Sequence, residues 1–251
     1  MRHLISIFAS LILCLGLALP AQADSFTPSQ KEELQGLIHK YLLEHPEILR
    51  EVANALDVKD KKAEVETRAN VLSTNSKDIF HNAGDAVAGN DKGDVTVVEF
   101  MDYNCGWCRK SIKELQSIVG SDKKVRVIMK EFPIFGEGSE YAAKAAMASV
   151  KQGKYWEFHQ ALFATEGKVT PQSTDATAKS VGIDVAKMKA DMKDPAIAET
   201  MAKNQQLASA LLITGTPAFI VDGTLFPGYE QKDVLLAAIA GVRANGGCKL
   251  C

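Results

Sequence analysis

Val95-Thr96-Val97-Val98-Glu99-Phe100-Met101 is a near-continuous β-type run, and Cys105-Gly106-Trp107-Cys108 follows it after three residues. A run with so little alternation reads as a strand buried on both faces. Beyond the cysteines, Ile112, Leu115, Ile118 and Val119 repeat at helical spacing. The CxxC therefore sits where a strand hands over to a helix. There the first cysteine faces the unpaired N–H groups and positive dipole of a helix start, which favour a thiolate. The second cysteine is one turn on, close enough to close a disulfide. A thiol of lowered pKa attacks faster at neutral pH and leaves faster, so the pair suits thiol-disulfide exchange.

A dithiol also binds soft metals. With Cys248 and Cys251, Cys105 and Cys108 would make a four-cysteine zinc site, but the two pairs lie far beyond zinc-ribbon spacing. Copper(I) on the CxxC is the softer competitor.

Working outward, Val125–Phe132 reads as a second strand. Ser139–Lys151, Tyr155–Phe163, Pro171–Val181, Val185–Met192 and Pro195–Leu212 read as helices. Ala218–Val221 is a third strand, Leu225-Phe226 a short fourth, and Asp233–Arg243 a closing amphipathic helix. Strands and helices alternate around a helical block, which argues an α/β sheet. Asn82–Gly93 is rich in Gly, Asn and Asp and reads as a boundary loop.

Upstream, Leu34, Ile38, Tyr41, Ile48, Val52 and Leu56 form an apolar helical stripe, with Pro46 opening a second helix. Such an arm has little partner surface of its own, so the stripe is expected to pack between subunits. Lys59–Lys77 is charged and reads as a solvated linker helix. Arg2, the apolar run Leu4–Leu19 and Ala21-Gln22-Ala23 form a secretory signal pattern. Cys14 falls within it. Export with cleavage after Ala23 leaves Cys105, Cys108, Cys248 and Cys251, and the expected home is an oxidising periplasm.

The chain has 251 residues, 46% apolar and 24% charged, which excludes wholesale disorder and a polytopic membrane protein. Its 29 Lys+Arg against 31 Asp+Glu leave no basic excess for nucleic acid. Five cysteines are too few for a disulfide scaffold.

Thr214-Gly215-Thr216-Pro217-Ala218-Phe219-Ile220 carries a proline at a strand start, a cis-proline candidate. With it, the chain resembles the DsbA-type thiol-disulfide oxidoreductases. The resemblance covers about Ala88–Arg243 and rests on Val97-Val98-Glu99-Phe100, Cys105-Gly106-Trp107-Cys108, Lys130-Glu131-Phe132-Pro133 and Thr214-Gly215-Thr216-Pro217. Tyr41-Leu42-Leu43-Glu44-His45-Pro46-Glu47 is similar to the subgroup with an N-terminal dimerisation extension. Gly106-Trp107 between the cysteines, Thr216 before Pro217, and Leu225-Phe226-Pro227-Gly228-Tyr229 are more similar to the DsbC isomerases.

The resemblance implies a thioredoxin fold with an inserted helical block, preceded by a helical oligomerisation arm. On that basis residues 1–23 are the signal peptide and 24–80 the arm. Residues 81–247 are the thioredoxin-like domain with an insertion at about 139–212, and 248–251 a CxxC tail. It implies Cys105 as attacking thiol, Cys108 as resolving thiol, Pro217 in cis against the disulfide, and Thr216 offering its backbone to an extended substrate, with Gly106 and Trp107 flanking it. Glu99, six residues before Cys105, matches the buried acid beneath such a site. A buried carboxylate there relays the proton of Cys108. Lys130 is a second candidate for that pocket, with a solvated lysine as the alternative.

No cofactor is needed, because the cysteine pair is the redox group. The implied partners are unfolded or misfolded exported proteins and a membrane redox partner of DsbB or DsbD type. A homodimer is implied, with a homotrimer as alternative and outer-membrane association as a variant of the location. The function of other class is a copper(I)-binding or structural outer-membrane-associated dimer using the CxxC as ligand. His39, His45, His81 and His159 show no metal spacing, and His159 reads as a structural helix residue. Cys248 and Cys251 either pair with each other or reach the active site as an internal partner.

Overall fold

The structure, a computed structural model, describes residues 26–251; the signal peptide expected over residues 1–23 lies outside the described residues. By its contacts the chain divides between Val58 and Lys59.

The first unit holds α1 (Pro28–Glu44) and the start of α2 (Glu47–Thr74). Thr27 caps α1. Its hydroxyl accepts from the Gln30 amide while the Gln30 side chain accepts from the Thr27 amide, so two open helix-start donors are met. Pro46 falls just before α2 instead of at its first residue. No residue of α1 is buried, and Leu34, Leu37, Ile38 and Tyr41 are exposed.

Helix α2 runs unbroken to Thr74, so the linker helix expected from Lys59 is the rear of one long helix. Its end is not solvated. Leu72 is buried, Arg68 Nε donates to the Leu211 carbonyl, and α3 (Ser76–Phe80) buries Ile79 and Phe80. These three apolar side chains join Val98, Phe100, Ile128, Leu207 and Leu211 in one core cluster. Residues 59–80, read in the sequence as the arm's end, thus fall in the second unit.

That unit is built on one sheet in the order β1-β3-β2-β4-β5. β2 (Val95–Met101) and β3 (Val125–Glu131) are parallel, joined by α4 (Gly106–Ser121). The three others, β1 (Ala86–Gly89), β4 (Ala218–Val221) and β5 (Thr224–Phe226), pair antiparallel. This is the thioredoxin-type α/β sheet that the resemblance implied. β1 is a correction to the boundary loop read over Asn82–Gly93. Small residues flanked by turn formers hide a four-residue edge strand. Gly89 ends it at φ 76, where a Cβ would meet the Val125 carbonyl at 2.6 Å.

Every residue of β2 is buried. Val95, Val97 and Met101 face the cluster that holds α4 residues Ile112, Leu115 and Ile118; Val98 and Phe100 face the other. Between β3 and β4 the chain inserts α5 (Glu137–Ser149), a 3-10 turn (Val150–Gln152), α6 (Tyr155–Ala164), α7 (Pro171–Ser180), α8 (Val185–Asp191) and α9 (Pro195–Ala210). α10 (Lys232–Ala244) closes the fold. Among the described residues no helix is long and apolar enough to cross a membrane.

Candidate active site

Cys105 is the N-cap of α4, with extended backbone, and Gly106 is the first helical residue. The buried strand β2 delivers the chain to this point, and α4 leads away from it. The Cys108 amide donates to Cys105 Sγ at 3.4 Å, so the sulfur does what a capping oxygen does elsewhere. Cys105 is nearly buried and Cys108 fully so; both are free thiols. The Cys105 thiol is held down to about 6, first by the hydrogen bond to the Cys108 side chain, then by Thr216 and the amides of Cys108 and Trp107, against burial. Burial pushes the Cys108 thiol far up, and the neighbouring Cys105 and Glu99 add to it. The two sulfurs are thus split, one easily ionised and one not.

Antiparallel pairing of β4 on β2, with Ala218 opposite Phe100, brings Thr216-Pro217 to the strand end from which Cys105 departs. The Thr216–Pro217 peptide is cis. Cys105 Sγ donates to the Thr216 carbonyl at 3.1 Å. The hydroxyl of Thr216 is buried and makes no hydrogen bond as it stands. The thiol thus donates to the Thr216 carbonyl, while the Thr216 side chain favours the thiolate.

Glu99 lies on the α4 side of β2, 1% exposed, and Ser111 donates to its Oε1 at 2.6 Å. Burial raises its carboxyl to about 8; the Ser111 hydrogen bond lowers it and the charge on Cys105 raises it. Sequence reading missed Ser111, although it follows Cys108 by one helical turn and so shares its face. Lys130 is also fully buried, but on the opposite sheet face. It pairs with Asp85 and donates to the Asp78 carbonyl at 2.6 Å, away from Glu99. Neither the shared pocket nor the solvated lysine describes it.

Trp107 is 58% exposed and lies beside Tyr229, ring centroids 5.4 Å apart, with Lys110 Nζ 4.6 Å from the Tyr229 ring. A Cβ on Gly106 would meet nothing within 4 Å, so there is open space beside this residue of the motif. Asp102, also missed, is buried and accepts from the Asn104, Ile134 and Phe135 amides and the Ser139 hydroxyl. It ties the loop before Cys105 to the loop after β3. His159 is buried within the helical block, its Nδ1 3.0 Å from the Tyr103 hydroxyl, and burial holds it down to about 3. Cys248 and Cys251 are bonded to each other.

Residues 96–240 match the model of the DSBA-like thioredoxin domain, and residues 30–63 that of the copper resistance protein ScsC N-terminal domain. A thioredoxin-like oxidoreductase from Silicibacter pomeroyi is 40% identical, with 67% of this chain and 97% of that one covered and a TM-score of 0.66. ScsC from Proteus mirabilis, in a transitional conformation, is 27% identical over 88% of this chain and 98% of that one, TM-score 0.65. A Na(+)/H(+) antiporter NhaA of Salinispora tropica is 28% identical over 65% of this chain; the chain spans 26% of its length.

Proposed function

The chain belongs to the family of DSBA-like thioredoxin domains, thiol-disulfide oxidoreductases, and from that premise we propose that it is an exported enzyme that forms and isomerises protein disulfides through Cys105 and Cys108. The observation that carries the reading is the split between the two sulfurs: Cys105 held down to about 6 at a helix start, Cys108 pushed up by burial.

Cys105, as thiolate, attacks a substrate disulfide and forms a mixed disulfide, releasing one substrate thiol. Cys108 then gives up its proton, with Glu99 as acceptor, and attacks Cys105 Sγ. The second substrate thiol leaves and the Cys105–Cys108 disulfide closes. Run backwards, the same steps oxidise a substrate dithiol. If Cys108 stays silent, the mixed disulfide rearranges and Cys105 leaves, which is isomerisation. Thr216 and Pro217 lie beside the reacting sulfur, and Trp107 with Tyr229 offers an exposed aromatic ledge to a chain with little structure. The exposed apolar stripe of α1, Leu34, Leu37, Ile38 and Tyr41, supports a homodimer or homotrimer. The secretory signal pattern supports the periplasm as location. The family supports unfolded exported proteins as substrates and a DsbB- or DsbD-type membrane partner to reset the pair.

The test is turnover of insulin disulfides by the full chain and by Cys105→Ser. Turnover should vanish in the variant. Alkylation of Cys105 against pH should have its midpoint near 6. Turnover indifferent to Cys105 removes the enzyme reading and leaves the CxxC as a ligand or structural pair.

A further inference from the structure

Cys248 and Cys251 form the chain's second CxxC, closed as a disulfide, and the exchange steps above make no use of it. The tail that carries it is docked. Asp222 Oδ1 accepts from the Lys249 amide at 2.9 Å and the Leu250 amide at 2.8 Å. Leu250 and Cys251 pack against the core cluster of Val98, Ile220 and Leu72. The same oxygen lies 3.4 Å from Cys248 Sγ. In the disulfide that sulfur has no proton to give; once reduced, its S–H donates to the waiting carboxylate. The docking site thus accommodates the dithiol as well as the disulfide. Both cysteines are only half-buried, so a thiolate can approach them.

The pair cannot serve its own Cys105 without leaving this site. Asp222 follows Val221, which pairs with Val97 near the start of β2, whereas Cys105 lies beyond the end of that strand. Arg243, near the end of α10, holds Asp94 and Asp122, and Asp122 is the C-cap of α4. Cys105 is the N-cap of the same 16-residue helix, about 24 Å away at ~1.5 Å per residue. Cys248 follows Ala244 by four residues, at most about 14 Å of extended chain. Cys251 would arrive only with every residue from Asn245 onward fully extended and every docking contact broken. The docked tail therefore does not meet its own Cys105, and the Cys105 it can meet without undocking is that of a second copy.

We propose that Cys248–Cys251 is a second redox pair, exchanging two electrons with the Cys105/Cys108 pair of another copy of this chain. The proposal rests on the exchange chemistry of the preceding section. Cys105 thiolate of one copy attacks one tail sulfur. The tail S–S bond breaks, and the other tail sulfur leaves as a thiolate and takes a proton. Cys108 then loses its proton and attacks Cys105, closing the catalytic disulfide and releasing the second tail thiol. One dithiol is oxidised and one disulfide reduced. Each chain so carries a reserve disulfide that re-oxidises a spent catalytic pair elsewhere in the population.

The experiment uses two full-length variants. One carries Cys248→Ser and Cys251→Ser and is pre-reduced, with the reductant removed. The other carries Cys105→Ser and Cys108→Ser and keeps the tail disulfide. They are mixed and quenched with a thiol-alkylating mass tag. Two tags should leave the first chain and appear on the second, with a rate proportional to concentration. Asp222→Ala in the second chain should shift the equilibrium severalfold toward the tail disulfide, because the reduced pair loses its acceptor; no shift would overturn the part given to Asp222. If the tail stays oxidised while the same pre-reduced chain reduces insulin, the proposal is overturned and the catalytic reading stands. If insulin is not reduced either, the catalytic reading has failed with it.

Discussion

Two groups six residues apart set opposite pH dependences on the reduced protein. The Glu99 carboxyl is raised from 4.5 to about 8, mainly by burial. As pH rises from 4.5, the unfolded chain ionises Glu99 and the folded chain does not, so stability falls until about 8. The Cys105 thiol is lowered from 9.0 to about 6. Its contribution is complete above 9 and disappears as pH falls through 6. These two contributions together fall from pH 4.5 to 6, by about 2 kcal/mol at ~1.36 kcal/mol per unit, and cancel from 6 to 8. Buried Glu131, raised, and His159, held down, add slopes of their own, so the signal is the difference from the parent. Glu99→Gln should gain on the parent from pH 4.5 to 8, and Cys105→Ser should fall behind it from 6 to 9. Urea unfolding of the reduced proteins across this range checks the three curves. A Glu99→Gln curve that parallels the parent would show Glu99 titrating in the fold as in the unfolded chain, and would overturn the raised carboxyl. Glu99 could be singled out in the sequence because a carboxylate inside a buried β run needs a reason. Its partner Ser111 could not, because one serine on a helix face carries no signal until the strand behind it is known.

The site depends on a loop that nothing in the sequence marked. β2 and α4 were both legible, since a long apolar run and a repeat of three and four residues each exceed local noise. The three residues between them read as a connection only. In the fold, Asp102 spends its carboxylate on four donors from two loops and a helix, and its carbonyl accepts from the Cys105 amide at 3.1 Å. Such a clamp joins residues far apart in sequence, so no local pattern announces it. β1 escaped for a related reason: Ala86 and Ala88 are too small to outweigh the turn formers around them, and only pairing with β3 makes them a strand. Asp102→Ala leaves three amides and one hydroxyl without their acceptor. We expect a loss of roughly 3 kcal/mol or more, since each unmet buried donor costs about 1–3 kcal/mol and water recovers part of it. The freed loop should also let the Cys105 midpoint drift upward from 6 toward that of an ordinary thiol. Equilibrium unfolding and alkylation against pH read the two effects separately. Lost stability with an unchanged midpoint would make Asp102 a structural clamp alone.

The uncovered helix α1 needs a partner. α1 exposes Leu34, Leu37, Ile38 and Tyr41, and the first half of α2 exposes Leu49, Val52 and Leu56. That much apolar surface at helical spacing is costly to leave in water, at roughly 25 cal/mol per Å². A second copy is the partner every chain has at hand. The proposed isomerisation would supply a reason for such an assembly. Cys105 must release a substrate whose disulfides are still wrong, and a neighbouring subunit keeps that substrate at high effective concentration until it is attacked again. Oxidation needs one encounter and gains little from a neighbour. Where the chain is cut decides whether the idea can be tested. Removal through residue 80 takes Leu72, Ile79 and Phe80 out of the core, and with them the Asp78 carbonyl that Lys130 uses. That truncation should unfold. Removal through Val58 follows the division of the chain and leaves those residues in place. The shorter deletion should sediment as a monomer, reduce insulin at the parent's rate per active site, and lose most of its ability to rescue a scrambled multi-disulfide substrate. A parent chain that sediments as a monomer would contradict the assembly, and equal rescue per active site by both forms would contradict its link to isomerisation. Failure of both forms to rescue, with insulin turnover intact, would place the enzyme among oxidases.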